Sequence, residues 1–162
     1  MKTLLLVRHA KSSWGDAGLP DIQRPLNERG QHDASMMGER LARRGVQPER
    51  WVTSPAVRAR TTAEILGRML GRASADIDVD DRLYGATLNT LLDVIHALDD
   101  KLQVAMLVGH NPGLSELAHR LSAPITHLPT CAVAEFAFDV DSWSRVGQVG
   151  PVRATLVSPK SA

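Results

Sequence analysis

Residues 4–13 read LLLVRHAKSS, and the first half of this stretch predicts the centre of the fold. The apolar run from Thr3 to Val7 is typical of a strand that is buried on both faces, as in a parallel sheet. Arg8 and His9 follow this run directly and lead into a long polar loop. Because ligands of open α/β sheets bind beyond the carboxyl ends of the strands, Arg8 and His9 are candidates for a binding site.

Helix signals recur along the rest of the chain. Asn27 is typical of an N-cap, and the helical pattern that follows it ends at Gly45, a natural C-cap. Ser54-Pro55 and Asn111-Pro112 each place a capping residue before a proline, which favours a helix start at both points. The helical pattern predicts one more helix at residues 87–98.

Strand patterns separate these helices. Besides the first strand, they predict strands at residues 51–53, 77–79, 104–108, 132–138 and 153–157. Strands that alternate with helices predict an α/β fold, here a three-layer α/β/α sandwich with a mostly parallel sheet. The last two strands follow each other without a helix, which indicates an antiparallel edge.

Length and composition indicate one soluble domain. The 162 residues are enough for one core, so we predict a single domain over residues 1–162, with residues 158–162 as a loose tail. The arginines are scattered and the net charge is only +1, so we expect no nucleic-acid partner. The apolar start, residues 1–7, is too short for a signal peptide or a membrane span. We therefore expect a cytoplasmic protein with no membrane partner.

The cysteine and histidine content argues against metal chemistry. The single cysteine, Cys131, lies in an apolar run and is expected to be a buried, inert thiol. None of the six histidines forms a His-x-His or His-x-x-x-His pair, so no metal site is expected.

Reactive residues follow the predicted strands in three segments. Arg8 and His9 lie in LLLVRHAKSS, Arg58 in WVTSPAVRART, and His110 in AMLVGHNPGLSE. Guanidinium forks and imidazole donors suit a phosphoryl group. A neutral imidazole is also a competent nucleophile toward phosphorus, and nearby arginines disfavour a charge on His9. Taken singly, His110 could instead cap a helix and Arg58 could pair with a surface carboxylate.

These motifs match a known family in order and in approximate spacing. RHA at residues 8–10, SPAVRARTT at 54–62 and GHNP at 109–112 resemble the histidine phosphatase superfamily. The length and the segment DIQRPLNERG, residues 21–30, look closest to the SixA-type phosphohistidine phosphatases. The resemblance implies a phosphoglycerate mutase-like fold and no metal or organic cofactor.

The resemblance also implies roles for individual residues. His9 would be the phosphorylated nucleophile, while Arg8, Arg58 and His110 would bind the phosphoryl group. Arg24 would add another guanidinium, although an arginine before a proline often only forms a turn.

Three polar residues near the motifs are weaker candidates for substrate binding. Lys11 and Ser12 follow the nucleophile and are placed to donate hydrogen bonds to phosphate oxygens. Asn111 is first of all a helix cap, and a phosphate contact would be its second role.

The sequence lacks a glutamate that would protonate a leaving group, and this absence bears on which leaving group the site suits. Larger phosphoglycerate mutase-like relatives carry a Glu general acid where this chain reads DVDDRLYGAT, residues 78–87. Asp80, Asp81, Asp16 or Asp21 remain open as substitutes. Because an imidazole leaves more readily than an alkoxide, a site without an acid suits phosphohistidine. The expected partner is a phosphohistidine-bearing protein, and the alternatives are a small phosphorylated metabolite or a weakly catalytic phosphohistidine-binding module.

Overall fold

The computed structural model describes residues 1–161, in which six strands and four α-helices alternate over most of the chain. In chain order these elements are β1 (Lys2–Arg8), α1 (Glu28–Arg43), β2 (Arg50–Thr53), α2 (Val57–Met69), β3 (Asp78–Val79), α3 (Leu88–His96), β4 (Val104–Gly109), α4 (Gly113–Leu121), β5 (Val133–Phe138) and β6 (Arg153–Val157). Short 3-10 turns lie at Asp21–Gln23, Ser74–Asp76, Asp81–Leu83 and Trp143–Arg145.

The strands form one sheet in the order β3-β2-β4-β1-β5-β6. The first four strands of this order are parallel, and β5 and β6 are antiparallel to their neighbours. The predicted mostly parallel sheet with an antiparallel late pair is therefore confirmed.

The carboxyl ends of three neighbouring strands coincide. Arg8 of β1 pairs with Gly109 of β4, and Thr53 of β2 pairs with Val108 of β4. The residues that follow these strands are His9, His110 and Ser54, so they emerge at the same edge of the sheet.

The core has two halves, one on each face of the sheet. Successive side chains of β1 point to opposite faces, so Leu4 and Leu6 pack with α3 and α4. Leu5 and Val7 pack with α1 and α2. All four side chains are fully buried, which explains the unbroken apolar run and confirms the three-layer sandwich.

The predicted ends of α1 are confirmed. Asn27 is the N-cap, and its side-chain oxygen accepts a hydrogen bond from the backbone N–H of Gly30 at 2.8 Å. Gly45 follows the helix with a positive φ of 72°, which glycine adopts without a steric penalty.

The two predicted Pro-containing helix starts are wrong, by two residues for α2 and by one residue for α4. Helix α2 begins at Val57 because the chain is still extended at Ala56, and Ser54 Oγ accepts a hydrogen bond from the Ala56 N–H instead of capping the helix. Helix α4 begins at Gly113, after Asn111 and Pro112 have formed a turn.

The predicted loose tail is tied to α1 as far as it is described. Arg40 donates hydrogen bonds to the backbone oxygens of Ser158 at 2.9 Å and Pro159 at 3.3 Å. Ser158 and Ser161 also bond each other. Ala162, the last residue of the predicted tail, lies outside the described residues. No helix within residues 1–161 has the length and apolar character needed to cross a membrane.

Candidate active site

A cavity of about 510 Å³ opens at the carboxyl edge of the sheet. All eight residues that the sequence assigned to catalysis or substrate binding line it, together with three others, and among the described residues its lining includes no carboxylate. The lining residues are Arg8, His9, Lys11, Ser12, Trp14, Arg24, Asn27, Arg58, His110, Asn111 and Thr130. Its cationic lining makes the cavity a site for a small anion.

His9 presents a neutral imidazole in a defined tautomer. Its Nδ1 atom lies 2.7 Å from the backbone oxygen of Ala10, which can only accept, so Nδ1 carries the proton and Nε2 keeps its lone pair. Burial, together with the charges of Arg58 and Arg8, lowers the pKa of His9 to about 4 against the opposing hydrogen bond to Ala10. At neutral pH the Nε2 atom therefore has a free lone pair.

Backbone contacts hold the turn that contains His9. Cys131 adopts a positive φ of 61°, and its N–H lies 3.1 Å from the carbonyl oxygens of both Arg8 and His9. The Thr62 hydroxyl accepts from the Ala10 N–H at 3.0 Å and donates to the Arg58 oxygen at 2.7 Å. The loop after β1 is thereby bound to α2, the helix that carries Arg58.

The thiol of Cys131 is buried, as predicted, and burial raises its pKa to about 12. A thiol with such a pKa remains protonated at neutral pH, so it is a poor nucleophile.

Three buried hydrogen-bonding atoms have no partner within residues 1–161. They are Nε of Arg8, Nε of Arg58 and Nδ1 of His110, and each belongs to a residue that lines the cavity. An unpaired buried donor costs about 1–3 kcal/mol, so native proteins rarely keep one. Three such atoms around one cavity indicate a site prepared for an oxygen-rich ligand.

Asp21 holds two of the cavity arginines from outside. Its Oδ2 accepts from Arg58 Nη2 at 2.9 Å, its Oδ1 from Arg24 Nε at 3.1 Å, and its backbone oxygen from Arg58 Nη1 at 2.7 Å. The Tyr84 hydroxyl also donates to Oδ2 at 2.6 Å. Tyr84, Arg58 and Arg24 together hold the pKa of the Asp21 carboxyl far below its usual range.

His110 is joined by a hydrogen bond to Ser54, the first residue of the SPAVRARTT motif. Its Nε2 atom lies 2.7 Å from Ser54 Oγ, and its ring centroid is 5.1 Å from that of His9. Tyr84 packs edge-on against the same ring, at 5.6 Å. Burial lowers the pKa of His110 to about 3, with smaller effects from His9 and Arg58. The His110 imidazole is therefore neutral at physiological pH.

The remaining predicted residues differ in their burial and in their hydrogen bonds. Arg24 is buried and donates to Ser12 Oγ at 2.8 Å, which overrules the alternative that this arginine lies in solvent. Lys11 is exposed at the cavity mouth. The Asn111 amide bonds Leu128 at 2.9 Å and the backbone N–H and hydroxyl of Ser115, so most of its capacity serves the fold.

Sequence reasoning missed three contributors to the site. The sequence pattern predicts only a helix cap for Ser54 and no role for Tyr84 or Trp14. A sequence signal exists only for Trp14, which is the single aromatic residue in the polar segment 11–18. Within residues 1–161, no group of three or more His, Cys, Asp or Glu side chains is placed to hold a metal ion.

The fold and the site together define a class of protein. A neutral imidazole at the end of a central strand, surrounded by arginines and unpaired donors, is the arrangement expected of a phosphoryl-transfer enzyme that uses a histidine.

Comparison with known proteins agrees with this class. Residues 4–91 match the model of the histidine phosphatase superfamily, branch 1. The chain is 31% identical to an uncharacterized chloroplastic protein of Arabidopsis thaliana, over 99% of this chain and 79% of that protein. The chain belongs to the histidine phosphatase superfamily and is a phosphatase.

Two further similarities concern proteins with named activities. A solved structure assigned as the phosphohistidine phosphatase SixA of Agrobacterium tumefaciens superposes with a TM-score of 0.78 at 29% identity, covering 97% of this chain and 96% of that one. A 2,3-bisphosphoglycerate-dependent phosphoglycerate mutase of Clavibacter michiganensis is 33% identical over 52% of this chain and 36% of its own. The SixA-type resemblance is thus confirmed.

Proposed function

We propose that this phosphatase removes the phosphoryl group from phosphohistidine on a cytoplasmic protein, with His9 as nucleophile. The observation that carries the proposal is that the neutral His9 imidazole shares its cavity with three residues whose buried nitrogen atoms are unpaired, and that the lining, within residues 1–161, includes no carboxylate. The likeness to a SixA-type structure supports the same substrate class.

The reaction would proceed in two displacements. Nε2 of His9 attacks phosphorus while the phosphorus–nitrogen bond of the substrate breaks, and the substrate imidazole leaves with the electron pair of that bond. Water then attacks the phosphorylated His9, which releases phosphate and restores the imidazole. Arg8, Arg58 and His110 would donate hydrogen bonds to the phosphoryl oxygens in both steps, with Arg24 as a further cation.

The carboxylates near the site are poorly suited to protonate a leaving group. Asp21 is ionised because Tyr84, Arg58 and Arg24 bond its oxygens. A hydrogen bond from Arg82 likewise lowers the pKa of Asp80. When the other ring nitrogen of phosphohistidine carries a proton, a neutral imidazole departs and needs no enzymatic acid.

A small phosphate ester is the second candidate substrate. The similarity to a phosphoglycerate mutase favours it, since that enzyme acts on phosphoglycerates. Such a substrate would expel a basic alkoxide, which needs a proton from an acid. The two candidates are therefore separated by the leaving group that the enzyme tolerates.

The deciding experiment compares substrates and a nucleophile variant. Wild type, His9→Ala and the control His32→Ala, an exposed histidine of α1, are incubated with phosphohistidyl protein and with a panel of phosphate esters. We expect fast phosphate release from the phosphoprotein and an acid-labile phosphoenzyme in wild type and His32→Ala only. Faster turnover of the esters would favour the second candidate. Turnover by His9→Ala would refute the nucleophile, and retention of the phosphoprotein without turnover would indicate a binding module.

A further inference from the structure

Trp14 is the most exposed of the large apolar side chains in the described residues, at 78% exposure. Its ring lies 3.5 Å from the guanidinium carbon of Arg24, so one face of the indole covers a cavity arginine. Exposed aromatic side chains that are anchored in this way are typical of recognition surfaces. Trp14 is therefore a candidate contact for a ligand at the mouth of the cavity.

A second cavity begins on the far side of the same two residues. It has a volume of about 310 Å³ and is lined by Trp14, Arg24 and four residues of the following segment, Asp16, Ala17, Leu19 and Asp21. Trp14 and Arg24 also line the phosphate cavity, so they form a shared wall between the two spaces. We call this second cavity, with its Trp14 wall, the Trp14 shelf.

The loop that forms the shelf is built by its own hydrogen bonds. Ser13 N–H donates to the Pro25 oxygen at 2.8 Å, and the Asp16 side chain accepts from the Gly18 N–H at 3.0 Å. Leu19 N–H donates to the Asp16 oxygen at 3.3 Å. These bonds give the shelf a defined shape next to the phosphate cavity.

We propose that the Trp14 shelf binds the polypeptide that carries the phosphohistidine, by receiving an apolar side chain next to the phosphorylated residue. This inference rests on the proposed function. A phosphoryl group bonded by Arg8, Arg58 and His110 would fill the first cavity. The polypeptide that carries this group must then extend out through the cavity mouth, next to Trp14. Ala17 and Leu19 give the shelf an apolar surface that suits a side chain, while the carboxylates of Asp16 and Asp21 disfavour a second phosphate there.

Kinetics of Trp14→Ala test this division of labour. For phosphohistidyl protein, we expect KM to rise about tenfold with kcat preserved, as for loss of one aromatic contact. For phosphoramidate, a small substrate with the same type of bond, the loss in kcat/KM should be much smaller than for the phosphoprotein, because this substrate does not reach the shelf. Trp14→Phe should recover most of the affinity for the phosphoprotein.

The other kinetic outcomes are distinguishable. Equal losses on both substrates would overturn the inference, because Trp14 would then act only by holding Arg24. An unchanged KM for the phosphoprotein would overturn it as well. If wild type fails to turn over phosphohistidyl protein at all, the proposed function falls and the shelf inference falls with it.

Fluorescence gives a binding readout that does not need turnover. Trp51 and Trp143 are buried, at 1% and 0% exposure, so acrylamide quenching reports chiefly on Trp14. A peptide that carries a phosphonate analogue of phosphohistidine beside leucine should shield the indole from acrylamide. Inorganic phosphate should fill the first cavity and leave quenching unchanged. Equal quenching with and without the peptide, at concentrations that saturate its binding, would contradict the proposal.

Discussion

Nε2 of His110 lies 2.7 Å from Oγ of Ser54, a contact that joins residues 56 positions apart in the chain. Ser54 Oγ also accepts from the Ala56 N–H, so its own proton is available to His110 Nε2. If the hydroxyl donates to Nε2, the ring proton lies on Nδ1, the atom that is buried without a partner. A phosphoryl oxygen can only accept, so this tautomer is the one that the proposed substrate needs.

The variant Ser54→Ala should therefore weaken phosphoryl binding without removing His110. We expect kcat/KM to fall about tenfold, the effect of losing one oriented hydrogen bond. The tautomer of His110 can be followed by ¹⁵N NMR, where the Nδ1–H form should lose its dominance. Ser35→Ala, in α1 and away from the cavity, is the matched control. An unchanged tautomer in Ser54→Ala would show that the hydroxyl does not orient the ring.

The lowered pKa values of His9 and His110, about 4 and about 3, predict a pH-dependent stability. Below the ordinary histidine pKa of about 6.5, the unfolded chain binds protons on both rings and the folded chain does not. The free energy of unfolding should fall as the pH falls through this window, by up to about 1.4 kcal/mol per pH unit for each ring.

Urea denaturation at about pH 7 and about pH 5 measures this slope, since both values lie above the folded-state pKa of either ring. His9→Asn removes one of the two titrating rings and should reduce the slope. The same slope in the variant would mean that His9 is protonated in the folded protein at these pH values.

The kinetics of Asp21→Asn test whether Asp21 is a general acid. Asp21→Asn should lower kcat/KM about tenfold on all substrates, because Arg58 and Arg24 lose the carboxylate that positions them. Aryl and alkyl phosphates of increasing leaving-group basicity should be affected equally. A loss that grows with leaving-group basicity would identify Asp21 as the proton donor. Asp141→Asn, an exposed carboxylate that does not line the cavity, serves as the control on these esters.

The sequence predicted the parts of this molecule that depend on local pattern. The apolar run of β1 indicated a strand buried on both faces, and Leu4 and Leu5 indeed pack into opposite halves of the core. Because parallel strands end at one edge of the sheet, the strand pattern alone predicts that the residues after β1 and β4 lie close together. His9 and His110 do meet there, with ring centroids 5.1 Å apart.

Contacts between distant parts of the chain could not be predicted in the same way. The pattern Ser54-Pro55 fits a helix start equally well whether or not its hydroxyl has another partner, and here that partner is His110. Asp21 and Tyr84 are 63 positions apart, and no periodicity relates a loop carboxylate to a distant phenol. The residues that orient the site are thus less visible in the sequence than those predicted to do its chemistry.

The variant Gly30→Ala tests how closely the loop after β1 packs against α1. A Cβ atom at Gly30 would collide with the backbone oxygen of Lys11, which also accepts from the Asn27 N–H at 3.0 Å. Since backbone cannot yield as a flexible side chain does, Gly30→Ala should cost about 1–3 kcal/mol in urea denaturation. It should also weaken phosphate binding, because the loop carries Ser12 at the cavity. Gly150→Ala is the matched control, since no atom of residues 1–161 lies within 4 Å of the added Cβ. Equal stability of the two variants would show that the loop adjusts freely.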